Sequence, residues 1–203
     1  LRIMAHLSGD ENMIKAFEKK HDIHTETAAK VFKVKQDKVD ANMRRKAKEV
    51  NFGLIYGIQA FGLASRLNID QREARDIIQS YFANFPTINA WLEKTREFAR
   101  KKGYTETLAG RRRYLPNINN HNSVVRQRDE RVAINMPVQG TAADMIKIAM
   151  INIHNEFNKK KLKSKMILQV HDELVFDCEK SELETVKKIV QNKMKNALKL
   201  DVP

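Results

Sequence analysis

Cysteine is almost absent from this sequence, in which Cys178 is the only example. A single cysteine excludes an internal disulfide framework and a cysteine-rich zinc site, and it is typical of a reducing compartment. No apolar run approaches the length of a transmembrane span, and no signal-peptide pattern opens the chain. We therefore expect a soluble, cytoplasmic protein with no membrane partner.

Glycine is also scarce, and none of the seven glycines belongs to a P-loop or a dinucleotide-binding fingerprint. A nucleotide would therefore have to be held by side chains rather than by a glycine-rich loop. Acidic residues are outnumbered, because 38 lysines and arginines face 25 aspartates and glutamates, which leaves a formal net charge of +13. This excess favours polyanionic partners, nucleic acid first among them.

Apolar residues recur with helical spacing along much of the chain, for example in the stretch that follows Asp70. Strand signals are confined to two candidate hairpins, at residues 104–115 and 165–178. The length of 203 residues permits one domain or two subdomains with a hydrophobic core. The pattern predicts an α+β fold that is mainly helical and includes a small antiparallel sheet.

The most unusual stretch covers residues 44–57 and reads RRKAKEVNFGLIYG, with Asp40 before it as a candidate N-cap. Helix positions four residues apart differ by only about 40° in direction, so the four residues at this spacing share one face. In order along the axis they are Arg44, Lys48, Phe52 and Tyr56. Two cations followed by two aromatic rings suit a ligand that is anionic at one end and flat at the other, as a nucleoside triphosphate is.

The spacing alone leaves another interpretation equally open. Basic and aromatic residues are common on helices, and Phe52 and Tyr56 could simply belong to the hydrophobic core.

The longer string R-x-x-x-K-x-x-N-F-G-x-x-Y-G resembles the fingers helix of family A DNA polymerases, of the bacterial DNA polymerase I type. Residues 131–144, RVAINMPVQGTAAD, resemble the family's helix–turn–helix segment that faces the minor groove of the primer–template. Residues 169–176, QVHDELVF, resemble its catalytic palm hairpin, and the opening LRIMAHLSGD resembles the continuation of its first palm motif. The resemblance covers essentially the whole chain, with its motifs in the family's order.

The resemblance implies a mainly helical fingers subdomain at residues 1–125, whose nucleotide-binding helix covers about residues 41–57. It also implies part of an antiparallel-sheet palm subdomain at residues 126–203, whose catalytic hairpin covers about residues 165–178. The implied partners are primer–template DNA, deoxynucleoside triphosphates and the upstream part of the same polymerase chain, at the bacterial nucleoid. The implied reaction adds deoxynucleotides to a primer 3′ end by two-metal phosphoryl transfer, in DNA replication and repair.

Site residues follow from the same resemblance, position by position. The nucleotide-binding residues would be His24, Arg44, Lys48, Phe52 and Tyr56. The DNA-binding residues would be Arg131, Asn135, Gln139 and His171. The catalytic residues would be Asp172, Glu173 and Lys48, with Asp172 as the ligand of Mg²⁺, two ions of which act in the complete enzyme.

Several of these residues could instead have a purely structural role. His21 and His24 could suggest a metal site, although two histidines at helical spacing are usually surface residues. We expect Pro137 to break the helix that carries Arg131, and minor-groove acceptors suit amide and guanidinium donors. Without the resemblance, the amides near this break would be read as helix caps.

The hairpin at residues 165–178 is apolar on both faces, which predicts that both are substantially buried. An aspartate at the tip of a buried hairpin, here Asp172, is costly unless it caps the turn or binds a cation. Turn aspartates are common, so a purely structural role for Asp172 also stays open.

The family's first palm motif includes an aspartate-bearing strand and a glutamate that screens the sugar, and neither occurs in this sequence. We therefore expect residues 1–203 alone to be inactive in primer extension. The alternatives are a single-subunit RNA polymerase and a non-catalytic, basic DNA-binding module. Magnesium-dependent binding of a deoxynucleoside triphosphate would distinguish an enzyme from such a module.

Overall fold

Helices dominate the computed structural model, which describes residues 1–19 and 21–203. In chain order, the first seven helices are α1 (Arg2–Ser8), α2 (Glu11–Glu18), α3 (Ile23–Val31), α4 (Ala41–Ile55), α5 (Ala60–Leu67), α6 (Gln71–Asn84) and α7 (Pro86–Lys102). There follow β1 (Tyr104–Glu106), β2 (Arg112–Tyr114), α8 (Ser123–Lys159), β3 (Lys165–Val170), β4 (Glu173–Asp177) and α9 (Leu183–Lys195). The strands form two antiparallel pairs, β1 with β2 and β3 with β4, which confirms the predicted α+β class.

The chain divides into two compact units, Leu1–Gln139 with Leu200–Pro203, and Gly140–Lys199. The predicted division into fingers and palm at residue 125 is a functional one and stays a prediction. None of the helices that the structure describes is both long and apolar enough to cross a lipid bilayer.

The core of the first unit is built around α4. The side chains of Val50, Leu54 and Ile55 on this helix are buried almost completely. They belong to one cluster with residues from the surrounding helices, among them Met4, Met13, Leu63, Ile77, Ile88, Leu92 and Ile134. The face of α4 that carries these residues is therefore fixed by apolar burial, which is the largest favourable term in folding.

The end of α4 explains one of the two glycines that follow the aromatic residues. Tyr56 is the C-cap, and Gly57 follows it with a φ of 76°. The Ile58 N–H donates to the Gly53 carbonyl and the Gly57 N–H donates to the Leu54 carbonyl, which is a Schellman motif. A Cβ at Gly57 would lie 2.7 Å from Ile134 Cδ1, so only glycine fits both the conformation and the space.

Pro137 lies inside α8, which continues without a break from Ser123 to Lys159, so the predicted helix break is wrong. Proline lacks an N–H, and the Ala133 carbonyl one turn earlier therefore loses its helical partner. Instead, the hydroxyl of Thr105 on β1 donates to the Ala133 carbonyl over 3.0 Å. Because a tertiary contact replaces the missing bond, the helix tolerates its proline.

The core of the second unit lies between its helices and one face of its hairpin. Ile153 and Phe157 of α8 pack with Val186 and Ile189 of α9. Leu174 and Phe176 of β4 are packed against this cluster. The pairing of β3 with β4 runs from Lys165 opposite Asp177 to Val170 opposite Glu173, with one irregularity between Met166 and Leu168.

Replacing Thr105 with valine should destabilise the first unit, because it removes the donor while the Ala133 carbonyl stays buried. An unpaired buried acceptor costs about 1–3 kcal/mol, which urea unfolding can measure as a loss of the free energy of unfolding. Thr95→Val is the matched control, since the Thr95 hydroxyl donates to the Trp91 carbonyl within its own helix. That carbonyl keeps its helical N–H partner. Equal losses in the two variants would contradict the role given to Thr105.

Candidate functional site

The exposed face of α4 carries the cationic and aromatic residues singled out in the sequence. Asp40 caps the helix as predicted, its carboxylate accepting the Met43 N–H over 2.7 Å. Arg44 and Lys48 are exposed, whereas Phe52 and Tyr56 are half-buried. The rings of Phe52 and Tyr56 lie 6.2 Å apart, centroid to centroid, at an angle of 29° between their planes. The two cations and two rings therefore form one continuous row, which we call the α4 row.

His24 joins the α4 row from the neighbouring helix α3. The His24 and Phe52 rings lie 5.7 Å apart, centroid to centroid. Helix α3 begins after Asp22, whose carboxylate accepts the N–H of His24 over 3.0 Å. The structure thus brings together His24, Arg44, Lys48, Phe52 and Tyr56, the five residues proposed to bind nucleotide.

Arg44 is held in the α4 row by Asp22. Its Nε lies 2.5 Å from Asp22 Oδ2, and the Thr25 hydroxyl donates to the same carboxylate oxygen. Burial alone would raise the pKa of Asp22, but hydrogen bonds from Arg44, Thr25 and the His24 N–H outweigh it and lower the pKa to about 2. Asp22 is therefore ionised at neutral pH and offsets part of the positive charge of the row.

Asn51, like Asp22, is a residue of this site that the sequence-based prediction missed. Its side chain is completely buried and contacts both Thr27 and His24. The Asn51 Nδ2 lies 3.1 Å from His24 Nδ1. Burial chiefly, together with the charges of Arg44 and Lys48, lowers the pKa of His24, while Asp22 opposes them. A polar amide in the middle of a buried helix face was the sequence signal for Asn51, because such a group requires a hydrogen-bonding partner.

A cavity of about 530 Å³ opens beside this end of the first unit. Its lining includes Phe17, His21, Asp22, His24 and Phe52. Within residues 1–19 and 21–203, no three histidine, cysteine or acidic side chains lie where they could share a metal ion. The cavity therefore offers the carboxylate of Asp22, the guanidinium of Arg2 and several aromatic and imidazole rings rather than a cage of metal ligands.

Arg131, Asn135 and Gln139 lie four residues apart on α8, so they share one face of a continuous helix rather than surrounding a break. Asn135 Oδ1 is buried and has no hydrogen-bonding partner among the residues that the structure describes. A Cβ at Gly57 would lie 3.7 Å from Arg131 Cγ, so the end of the α4 row reaches the stem of Arg131.

A basic cleft lies beside Arg131 in the same unit. The cleft has a volume of about 530 Å³, and its lining includes Arg113, Tyr114, Arg128, Asp129 and Arg131. The neighbouring Arg112 is engaged elsewhere, because it pairs with Glu106 and lies 4.6 Å above the Tyr104 ring. The three arginines of the cleft make it a suitable surface for a phosphate backbone.

In the second unit, His171 and Asp172 form the two-residue turn between β3 and β4. His171 has a φ of 54°, and the Gln169 side-chain amide donates to its carbonyl over 2.7 Å. The side chains of His171, Asp172 and Glu173 are all exposed. The turn therefore presents two adjacent carboxylates to solvent.

The prediction that both faces of this hairpin are buried is wrong. Ile167 is 59% exposed and Leu168 47% exposed, because the described helices cover only the face that carries Leu174 and Phe176. The argument that Asp172 is costly in a buried tip therefore fails. Its donor chemistry still fits Mg²⁺, which takes carboxylate oxygens from only one or two residues and completes its shell with water and phosphate.

Replacing Asp22 with asparagine should remove the ion pair with Arg44 but keep the helix cap, since both residues cap well. The pKa of Asp22 is lower in the folded chain than in the unfolded one, so the carboxylate stabilises the fold above about pH 4 and loses this contribution as the pH falls toward 2. The side chains are 49% and 40% exposed. We therefore expect a loss of only about 1 kcal/mol at pH 7, which becomes smaller as the pH falls from about 4 toward 2.

Chemical unfolding of the parent and of Asp22→Asn at several pH values measures this difference. Asp37→Asn is the control, because Asp37 has no hydrogen bond or ion pair from its side chain within the described part of the chain. A difference that stayed constant from pH 7 to pH 2 would contradict the assignment.

DNA polymerase family A matches the chain over residues 1–203. DNA polymerase I of Bacillus caldotenax is 46% identical over 203 residues, which are 100% of this chain and 23% of that relative. The thermostable DNA polymerase I of Thermus filiformis is 50% identical over 203 residues, which are 100% of this chain and 24% of that relative. The chain thus spans 23–24% of the length of these two relatives.

A solved structure extends the likeness to three dimensions. It is the POL domain of Pol1 from M. smegmatis in complex with a DNA primer-template and dNTP. It aligns with a TM-score of 0.94 and 44% identity, over 100% of this chain and 36% of that one. Since the sequence match and the structural match both cover every residue, this chain belongs to DNA polymerase family A.

Proposed function

We propose that this chain supplies the nucleotide-binding fingers and part of the palm of a DNA-directed DNA polymerase. The observation that carries the proposal is the α4 row, in which two exposed cations continue into two adjacent rings, with the His24 ring of α3 beside Phe52. A deoxynucleoside triphosphate has the same order of charge and shape. The likeness to a structure solved with a primer-template and dNTP supports the proposal.

In this proposal, Arg44, Lys48 and His24 bind the triphosphate. Arg44 offers a planar guanidinium that can donate two parallel hydrogen bonds to a phosphate, whereas Lys48 acts as a point charge. To bind a phosphate oxygen, the Arg44 guanidinium has to leave the Asp22 carboxylate or donate hydrogen bonds to both groups. Phe52 and Tyr56 pack against the sugar and base, because half-buried rings present a flat apolar surface there.

The template and primer bind along the basic surface of the first unit. Arg131, Asn135 and Gln139 offer donors to minor-groove acceptors, which A·T and T·A pairs share, so they test the shape of a base pair without reading its sequence. The cleft that contains Arg113 and Arg128 binds backbone phosphates. His171 at the hairpin turn contacts the primer end.

The chemistry is transfer of a nucleotidyl group to the primer. The primer 3′ oxygen forms a bond to the α-phosphorus, the bond from that phosphorus to the bridging oxygen breaks, and pyrophosphate leaves in line with the attack. The proton of the 3′ hydroxyl passes to solvent. Asp172 would hold magnesium, with Glu173 beside it, and the ion supplies charge stabilisation to the attacking and leaving oxygens when bound. Lys48 stabilises the negative charge that develops on the leaving phosphates.

We further propose that residues 1–203 do not extend a primer by themselves. A two-metal site requires carboxylates on both sides of the ions, and the resemblance assigns the second aspartate to a strand that this sequence does not contain. The upstream part of the same polymerase chain would be the partner that completes the site.

Lys48→Ala should weaken magnesium-dependent binding of a deoxynucleoside triphosphate by about ten- to hundred-fold, the value of one charge-assisted hydrogen bond. Isothermal titration of the chain with dTTP measures the effect. Lys46→Ala is the matched control, since it removes the same charge from a residue two positions along α4, on another face. If the parent and Lys48→Ala bound dTTP with equal affinity and Lys48→Ala bound duplex DNA more weakly, Lys48 would instead be assigned to DNA binding.

Primer extension tests the second part of the proposal, with the purified chain beside a longer polymerase chain that includes the upstream strand. We expect extension only by the longer chain, and DNA binding by both that weakens steeply with salt. Extension by the 203-residue chain at a comparable rate would contradict the proposal and require another carboxylate for catalysis.

A further inference from the structure

We propose that Asn51 is a positioning residue that holds the His24 ring as the neutral tautomer with its proton on Nε2, and so presents an N–H donor to a phosphate. This inference rests on the proposed function, because it assigns the donor a phosphate partner. It adds a residue that contacts neither substrate nor metal and acts only through His24.

Asn51 is placed unusually for an amide. It lies in the middle of α4 with 0% of its surface exposed. Its Nδ2 lies 3.0 Å from Thr27 Oγ1 and 3.1 Å from His24 Nδ1. The Thr27 hydroxyl can in turn donate to Asn51 Oδ1 over 3.2 Å. A buried amide with this set of partners links α3 to α4 directly beneath the histidine ring.

Hydrogen-bond counting selects the tautomer. With Nδ2 toward the ring, one amide hydrogen goes to Thr27 and the other to His24 Nδ1, while Oδ1 accepts from the Thr27 hydroxyl. Both amide hydrogens then have acceptors, but only if Nδ1 carries no proton. In the flipped orientation, Oδ1 accepts from Nδ1–H and one amide hydrogen is buried without an acceptor, which is costly.

The electrostatic surroundings favour the neutral form of the ring. Arg44 and Lys48 on α4 disfavour a further positive charge on the ring. Asp22, which precedes α3, acts in the opposite direction, but it is already paired with Arg44. Burial lowers the pKa of His24 further and is the largest cause of the shift.

The choice of tautomer decides what His24 offers to an anion. Within the described residues, Nε2 makes no hydrogen bond, so it is available to a ligand. A proton on Nε2 makes it a donor to phosphate oxygen, whereas a bare Nε2 lone pair would repel that oxygen. Asn51 thus converts a neutral imidazole into a directed phosphate donor without adding charge to a row that already contains two cations.

The experiment uses the ¹⁵N-labelled chain at pH 8, where His24 is neutral, and a long-range ¹H–¹⁵N correlation spectrum of its ring. We expect the spectrum of the parent to show Nε2 protonated and Nδ1 as an acceptor. Asn51→Asp should move the proton to Nδ1 and raise the pKa of His24, because a carboxylate accepts from Nδ1 and stabilises the imidazolium. Asn51→Leu, of similar shape, should give a mixture of tautomers without that rise. A merely structural role for Asn51 would not separate these two variants.

A second measurement uses inorganic tripolyphosphate as the probe. We expect Asn51→Leu to weaken its binding about two- to ten-fold, the value of one hydrogen bond, and Thr95→Val to leave it unchanged. A parent ring protonated on Nδ1 would overturn the inference without needing any variant. A tautomer change that left tripolyphosphate affinity unaltered would overturn the role toward phosphate.

Failure of the proposed function has a different signature. In that case Lys48→Ala would also leave tripolyphosphate binding unaltered, whereas failure of the positioning role alone leaves the requirement for Lys48 intact.

Discussion

Helix α4 has to bury one face in the core and expose the opposite face to solvent, and the packing of the rest of the first unit depends on this constraint. Val50 and Leu54 fix the rotation of the helix by entering the core, which leaves Arg44 and Lys48 facing solvent. Burial of apolar surface is not directional, but a helix has only one rotation that satisfies its buried stripe. The surrounding helices therefore position a functional surface by packing against the opposite side of the same helix.

The residues on the exposed face of α4 disfavour a helix, so contacts from outside α4 have to stabilise it. Arg44 and Lys48 repel each other at a spacing of four residues. Asp22 compensates this repulsion from the N-terminus of α3, and Asn51 ties α3 to α4 through the ring of His24. The Schellman motif at Gly57 then ends the helix where Tyr56 completes the row. Features that contradict local preference gather where we propose that a ligand binds, as is usual for functional sites.

The sequence alone was sufficient to predict the elements whose signals are local. The cap at Asp40, the α4 row and both hairpins follow from spacing and residue type, and the motif strings indicated the family. It was not sufficient where one residue depends on another far along the chain. Pro137 indicates a break unless it is known that Thr105 replaces the lost hydrogen bond. Asp22 and Asn51 contribute through tertiary contacts whose partners no periodicity reveals. The exposure of Ile167 depends on which layers cover a sheet, and residue type alone does not specify that.

We propose that the α4 row, rather than the basic cleft, binds the incoming nucleotide. Chemical-shift mapping of the ¹⁵N-labelled chain, titrated with a non-hydrolysable deoxynucleoside triphosphate in the presence of magnesium, tests it most directly. We expect the largest changes at His24 and along the exposed face of α4 from Arg44 to Tyr56. Changes confined to Arg113, Arg128 and their neighbours, with α4 unaffected, would contradict it.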